Sequence, residues 1–282
     1  MKWAGRRESG NVEDRRGMSA GRMVVGGGLG TIVVIVIATL FGADPRQLLN
    51  QISTQPTDQS AQIDPHQEEL KHFVSVVLAD TEDIWGQLFA QQGSTYQKPW
   101  VVLFTDQVES ACGFASAASG PFYCPPDQKV YMDLSFFDEL QSRFGAPGDF
   151  AIAYVVAHEV GHHVQNQMGM TDKVHAMQGQ VSEAEYNQMS VRLELQADFL
   201  AGVWAHYAQN NLDVVEPGDF DEAIAAAGAV GDDRIQKESR GTIVPDSFTH
   251  GTSAQRIAWF RRGYETGDLS QGDTFSVDYG DL

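Results

Sequence analysis

Residues 154–167 read Tyr-Val-Val-Ala-His-Glu-Val-Gly-His-His-Val-Gln-Asn-Gln and contain the pattern His-Glu-x-x-His. In a helix, residues four apart lie on one face, so the imidazoles of His158 and His162 can reach one point. A metal ion at that point would take two nitrogen ligands, and Glu159 could reach a water bound to the ion. The apolar residues that precede His158 predict a helix buried inside a domain.

This pattern has two alternatives to a metal site. It could arise by chance, or both histidines could be buried and paired to carboxylates for structural reasons alone. A third ligand in a suitable place would favour the metal site over both alternatives, because His-Glu-x-x-His supplies only two protein ligands.

Glu194 and Asp198 are the candidates for that third ligand. They lie four residues apart inside an apolar run, and so share one face of a predicted helix. Burying a carboxylate is unfavourable unless it is paired or binds a metal. In one interpretation, the two carboxylates are an ordinary buried pair that Arg192 or a side chain of a neighbouring helix binds. In the other, Glu194 is the third ligand of a site with one open position, and Asp198 accepts the free N–H of a liganding imidazole.

The composition excludes one broad class of partner. The chain has 282 residues, enough for one large or two small domains, and a formal net charge of −19. Residues 1–43 contain six Lys or Arg and three Asp or Glu, so the acidic charge lies in the rest of the chain. We therefore expect no nucleic-acid partner, since such proteins present a basic patch.

The N-terminal region predicts a membrane anchor. Residues 1–22 are polar and basic, with almost nothing that could build a core, and residues 23–43 contain no charged residue. About 20 apolar residues suffice to cross a bilayer, so residues 23–43 are predicted to form one transmembrane helix. Basic residues before the run predict a cytoplasmic N-terminus and an exported remainder. A cleaved signal peptide is the alternative. Residues 44–63, rich in polar residues and Pro, are predicted to be a linker.

Residues 64–265 are predicted to form one mostly helical α+β domain. Helices are expected near residues 65–89, 136–144, 150–167, 182–210, 219–238 and from 252 onward, and strands at 100–104 and 129–134. The strand at 129–134 is expected to offer a free edge to an extended peptide. The Gly- and Asp-rich residues 266–282 are predicted to form a flexible tail.

Cys112 and Cys124 are the only cysteines in the chain. If the domain is exported, as the predicted anchor indicates, they are expected to form a disulfide that closes a small loop. A cysteine metal pair and two free thiols are the alternatives.

His250 lies just before the last predicted helix, which Thr252 and Gln255 are expected to cap. A histidine held at a helix entry could turn towards the metal. It could then donate to an oxyanion or occupy the open metal position, and the alternative is a capping or packing role. The other histidines outside the motif are predicted to be ordinary polar residues: His66, His72, His163, His175 and His206.

Several stretches together resemble one protein family. They are GRRES and VEDRRG in the basic segment, the glycine-rich apolar run, SACGFASAASGPFYC ending at Cys124, HEVGHHVQ, ELQAD ending at Asp198, and THGTSAQR ending at Arg256. Over nearly its whole length the chain resembles the bacterial putative neutral zinc metallopeptidases, the YpfJ-type proteins. More distantly it is similar to the gluzincins, which include thermolysin and the membrane-associated heat-shock and prenyl-protein metalloproteases. In the latter two, a His lies near the metal six residues before an Arg, and His250 and Arg256 match that spacing.

The resemblance implies a gluzincin-like metallopeptidase domain with a small antiparallel sheet, on one transmembrane helix of the bacterial inner membrane and facing the periplasm or extracytoplasmic space. One Zn²⁺ per chain is expected on His158, His162 and Glu194, with peptides or proteins as substrates.

The expected mechanism uses Glu159 as general base for water attack on the peptide bond, and His250 or Arg256 as stabiliser of the oxyanion. The alternative function is a non-catalytic, zinc-structured module that binds peptides or assembles envelope proteins. Such a module has no need of Glu159.

Overall fold

The structure is a computed structural model that describes residues 1–17 and 64–282. The predicted transmembrane helix at 23–43 and the linker at 44–63 lie outside the described residues. Among the residues described, none of the helices combines the length and the apolar character needed to cross a bilayer.

The described chain is mostly helical and contains two small sheets, which agrees with the predicted α+β class. Its helices are α1 (Pro65–Gln91), α2 (Ser135–Ser142), α3 (Asp149–Gln167), α4 (Met170–His175), α5 (Glu183–Leu212), α6 (Asp219–Ala229), α7 (Asp232–Arg240) and α8 (Ser253–Thr266). Its strands are β1 (Val12–Asp14), β2 (Trp100–Phe104), β3 (Gln107–Ser110), β4 (Gly113–Ser116), β5 (Phe122–Cys124) and β6 (Lys129–Asp133).

Three helices position the sequence motifs. Helix α3 carries the His-Glu-x-x-His pattern, and α5 packs against both α3 and α8. Helix α5 begins at the predicted capping box, in which Ser182 and Glu185 bond reciprocally. The same device begins α8 at Thr252 and Gln255. These caps fix where each helix starts, and so fix which side chains face α3.

Two glycines allow α5 and α8 to pack with their backbones in contact. A Cβ atom at Gly202 would overlap the carbonyl oxygen of Phe260, and one at Gly263 would overlap that of Phe199. Any larger residue at either position would separate the helices, so this contact sets how far Arg256 on α8 reaches towards α5.

The main sheet is mixed, which corrects the prediction of an antiparallel sheet. Its strand order is β1-β2-β6-β5, in which β1 and β6 both pair with β2 in parallel and only β5 pairs with β6 antiparallel. Strands β3 and β4 form a separate antiparallel hairpin. The parallel pairs join segments far apart in sequence, and a local pattern of side chains does not reveal such pairing.

The free edge of the sheet is not the one predicted. Strand β6, at 129–134 in the prediction, lies between β2 and β5, so both of its edges are occupied. Strand β5 is the terminal strand beyond it. The predicted disulfide is present, because Cys112 in the turn of the β3–β4 hairpin is bonded to Cys124 at the end of β5. The hairpin is therefore tied covalently to the terminal strand.

Residues 1–17 belong to the folded domain, whereas the prediction made them part of a separate basic segment, residues 1–22. Strand β1 adds to the main sheet beside β2. Trp3 packs edge-on against Phe73 of α1, with ring centroids 5.5 Å apart. The Arg6 guanidinium lies 2.6 Å from buried Asp80. Residues 1–17 fold onto the domain because their basic side chains pair with carboxylates on α1. The composition of residues 1–17 alone does not reveal this pairing.

Two further contacts fix both ends of this segment to α1. Buried Glu82 accepts hydrogen bonds from the Ser9 hydroxyl and the Asn11 amide. Arg16 pairs with Glu68 and donates to the carbonyl of Gln67 at 2.8 Å. Arg16 therefore lies beside the first turn of α1.

The C-terminal residues are packed rather than forming the flexible tail predicted for 266–282. Thr274 is fully buried and its hydroxyl donates to the carbonyl of Arg192. Arg192 donates in return to the carbonyls of Thr274 and Val277. The helix predicted for 219–238 is likewise broken into α6 and α7 around Gly231, where a Cβ atom would overlap Ser253.

Candidate metal centre and active-site cleft

The structure brings together the three predicted metal ligands. His158 and His162 project from one face of α3, and Glu194 faces them from α5. The Nε2 atom of His158 lies 3.3 Å from one carboxylate oxygen of Glu194, and the Nε2 atom of His162 lies 3.4 Å from the other. One ligand atom from each residue lies within 4.8 Å of the others.

These separations fit a zinc ion. Zinc bonds to nitrogen and carboxylate oxygen are about 2.0–2.2 Å long, so two ligands of a tetrahedral ion lie about 3.3–3.5 Å apart. Two imidazoles and one carboxylate are also a donor set that zinc prefers in catalytic sites. The three side chains are thus close to a binding arrangement without any rearrangement of the helices.

Asp198 is the centre of a buried hydrogen-bond network behind His158. Its carboxylate is fully buried, and it lies 2.9 Å from His158 Nδ1 and 2.5 Å from the Tyr154 hydroxyl. Arg256 of α8 binds the same carboxylate through two nitrogens, at 2.8 and 3.0 Å. The sequence analysis gave two roles for Asp198, a pair with a neighbouring helix or an acceptor for a liganding imidazole. The structure shows both, because Arg256 of α8 pairs with Asp198 and His158 lies within hydrogen-bond distance of it.

The charges of this network stabilise one another. Burial alone would raise the pKa of Asp198 and of Glu194, but Arg256 near the first and His162 near the second hold each pKa below its ordinary value. Burial lowers the pKa of His158, yet the adjacent Asp198 and Glu194 carboxylates outweigh it and raise the value to about 9. With both imidazoles neutral, as metal binding requires, the Glu194 and Asp198 carboxylates outnumber the single Arg256 guanidinium, which favours a cation between the three ligands.

The second histidine has a different, neutral partner, which the sequence analysis missed. His162 Nδ1 lies 2.9 Å from the side-chain oxygen of Gln165, one turn further along α3. The signal that could have found this residue is its spacing of three from His162 in HEVGHHVQ, because such residues are neighbours on a helix surface.

Glu159 lies beside the three ligands in an open cleft of about 630 Å³. The cleft walls combine polar groups with apolar and aromatic side chains from several elements. Besides the site residues, they include Phe122 and Tyr123 of β5, Phe136, Phe144, Val155, Tyr186, Leu193 and Val230. A peptide-sized ligand could therefore reach the three ligands and Glu159 from one side.

His250 lines the same cleft. Its side chain is 51% exposed, and its Nδ1 lies 3.1 Å from Asp232. Asp232 also accepts the backbone N–H groups of Thr249, His250 and Gly251. Burial lowers the pKa of His250, but Asp232 and Glu194 outweigh it, so the pKa is raised. Asp232 lies 18 residues before His250 and gave no local sequence signal.

The remaining histidines do not contribute to the three-ligand group. His66 and His72 are on the surface, paired with Asp138 and Glu8. His163 is buried between Tyr123 and the carbonyl of Gln97. His206 contacts the carbonyl of Tyr264, and His175 lines the outer cleft. Arg192, the alternative partner of the carboxylates, instead bonds to the C-terminal segment.

Comparison with known proteins identifies a matching family and several relatives that cover most of the chain. A family model described as "putative neutral zinc metallopeptidase" matches residues 1–275. The uncharacterized protein YpfJ of Escherichia coli K12 is 48% identical over 284 aligned positions, covering 98% of this chain and 99% of that protein. The uncharacterized protein Rv2575 of Mycobacterium tuberculosis H37Rv is 41% identical over 258 positions, covering 85% of each. No solved structure matches the chain significantly.

Proposed function

We propose that this chain, which belongs to the putative neutral zinc metallopeptidase family, hydrolyses peptide bonds with one Zn²⁺ held by His158, His162 and Glu194. The observation that carries the proposal is the juxtaposition of this three-ligand group with Glu159 in one open cleft. A structural zinc site is usually closed by four protein ligands, whereas a catalytic site keeps one position open.

Each protein group has a distinct task in this mechanism. Zinc bound at the site would supply a Lewis acid that polarises the scissile carbonyl and lowers the pKa of water. Glu159 accepts the proton of the attacking water and then passes it to the leaving amine. Asp198 holds the Nδ1 proton of His158, so that the Nε2 lone pair faces the ligand group.

His250 is the better of the two candidates for stabilising the oxyanion. The Arg256 guanidinium lines the cleft but is almost fully buried, and it already donates to Asp198 and to the carbonyl of Val230. The imidazole of His250 is half exposed in the cleft, and Asp232 orients it through Nδ1. Its Nε2 can then donate to the developing negative charge. Arg256 acts instead on Asp198 and, through it, on His158.

We propose that the substrate binds as an extended peptide against β5. This strand ends the main sheet, and Phe122 and Tyr123 in it line the cleft. An exposed strand edge can bind a peptide through main-chain hydrogen bonds, and the side-chain pockets alongside it set specificity. The aromatic walls formed by Phe136 and Phe144 favour substrates with large apolar side chains near the cleaved bond.

The disulfide supports a location outside the cytoplasm. Cytoplasmic reductants keep most thiols reduced, and the Cys112–Cys124 bond would persist in an oxidising compartment. Residues 1–17 would lie in that same compartment, because they pack on the domain. That placement differs from the predicted single crossing with a cytoplasmic N-terminus, and attachment through residues 23–43 stays a prediction.

Removal of the metal is the direct test of the function. Purified protein with zinc should cleave denatured casein or a mixture of peptides. Treatment with a chelator should abolish cleavage, and added zinc should restore it, since the reaction depends on the metal. A non-catalytic zinc module would instead show bound zinc with no cleavage under any of these conditions.

Replacement of His250 tests its role as oxyanion donor. His250→Ala should lower kcat by about 10²–10³-fold with little change in KM, because the lost interaction forms only in the transition state. His175→Ala is the matched control, since His175 lines the outer part of the same cleft. Unchanged turnover of His250→Ala would leave only a packing role, and increased turnover would indicate a ligand that blocks the metal.

A further inference from the structure

Gln165 is a fully buried residue beside the metal site that the proposed mechanism does not use. Its side-chain oxygen lies 2.9 Å from Nδ1 of His162. Its side-chain nitrogen lies 2.7 Å from the carbonyl oxygen of Leu193 and 3.1 Å from the side-chain oxygen of Gln196. Leu193 precedes the ligand Glu194, so this one amide connects the helices that carry two different ligands.

The hydrogen bonds of Gln165 determine which nitrogen of His162 carries the proton. A backbone carbonyl can only accept, so the amide nitrogen of Gln165 must face Leu193 and its oxygen must face His162. The oxygen accepts from Nδ1–H, which leaves the lone pair on Nε2, 3.4 Å from Glu194. This is the tautomer that a metal at the three-ligand group requires.

The hydrogen bonds that orient Gln165 extend through Gln196 to the C-terminal segment. The side-chain nitrogen of Gln196 donates to the carbonyl of Gly272 at 2.9 Å. This bond turns the oxygen of Gln196 towards Gln165, where it accepts the second amide proton. The segment that supplies Gly272 is itself fixed by the buried hydrogen bonds between Thr274 and Arg192. The side-chain oxygen of Gln165 and both hydrogens of its amide nitrogen therefore have partners.

We propose that Gln165 is a positioning residue that holds His162 in its metal-binding tautomer and orientation, and that Gln196 and Gly272 hold Gln165. The inference rests on the proposed metal site but not on peptidase activity. The two histidine ligands would then differ in kind: Asp198 gives His158 an anionic partner, while Gln165 gives His162 a neutral one.

The test is the zinc affinity of the purified full chain, measured by competition with a chromogenic chelator. Gln165→Leu should bind zinc about 10–100-fold more weakly, the usual effect of losing such a partner. Gln196→Leu should weaken binding less, since Gln165 keeps its bond to Leu193. The matched control is Gln167→Leu on the same helix, because Gln167 bonds to His163 and Gln97 instead. It should leave zinc affinity unchanged.

A conservative variant separates positioning from a general loss of packing. Gln165→Glu keeps an acceptor for His162 Nδ1–H but places a carboxyl group in a buried position, so it should lose stability yet bind zinc nearly as tightly as the unsubstituted protein. If zinc affinity instead follows the melting temperature of the metal-free variants, Gln165 is only structural and the proposal is wrong. Unchanged affinity in Gln165→Leu would overturn it as well. Because zinc binding is the readout, a protein without peptidase activity would still decide this question.

Discussion

Glu159→Gln is expected to lower peptide hydrolysis by about 10²–10⁴-fold, the usual contribution of a general base, while the protein still binds one zinc and melts at the same temperature. Glutamine has nearly the same shape as glutamate but cannot accept the proton of the attacking water. Glu159 lines the cleft next to His158 and is not one of the three residues whose ligand atoms converge. The substitution should therefore remove the general base and leave zinc binding unchanged.

Two controls make this result specific. Glu139→Gln changes another carboxylate of the same cleft, on α2, and should retain near-normal turnover. Glu194→Ala should lose activity together with zinc, because two histidines alone make a weak site. If Glu159→Gln lost zinc as well, the residue would be part of the metal site, and normal turnover would assign the base to another group.

The candidate site could be predicted largely from sequence because its parts are local patterns. His158 and His162 lie one helical turn apart, and so do Glu194 and Asp198, so each pair needs only a helix to share a face. What no local pattern shows is how the pairs meet. The approach of α8 to α5, which brings Arg256 to Asp198, depends on the contact at Gly202 and on long-range packing.

The partners of the site residues were harder to find. Gln165 was within reach, because it lies three residues after His162 on the same helix. Asp232 was not, since it is 18 residues from His250 and lies at the first residue of α7, whereas His250 lies in the segment after α7. Only the tertiary fold decides which side chain becomes such a partner. Side chains that can form hydrogen bonds are too common in the sequence for the right one to be identified from the sequence alone.

The ends of the chain show where composition misleads. Residues 1–17 look like a solvated basic segment, but their cations and hydroxyls satisfy buried Asp80 and Glu82 on α1. The C-terminal residues look mobile because they are rich in Gly and Asp, yet Thr274 is fully buried. In both cases the stabilising partner lies more than 60 residues away, where neither periodicity nor composition can reveal it.

Arg256→Met is expected to give the largest loss of stability among substitutions near the site. It removes the guanidinium that bonds twice to the fully buried Asp198 carboxylate, and breaking a buried ion pair in this way costs about 3–5 kcal/mol. For a domain of this size, such a loss lowers Tm by roughly 6–20 °C. Thermal unfolding should be measured on metal-free protein, since bound zinc would add its own stabilisation.

Two control variants show whether the lost stability comes from the unpaired carboxylate of Asp198 or from any change on α8. Arg262→Met lies on the same helix, α8, but its guanidinium is exposed above the ring of Trp259, so stability should change by no more than about 0.5 kcal/mol. In the double variant Asp198→Asn/Arg256→Met, no charge is left unpaired and an oxygen still accepts from His158. Most of the lost stability should return, because replacing both members of a buried pair is often nearly neutral. If Arg256→Met alone melted like the unsubstituted protein, Asp198 would have to be neutral in the folded state, and the ion pair would not hold α8 against α5.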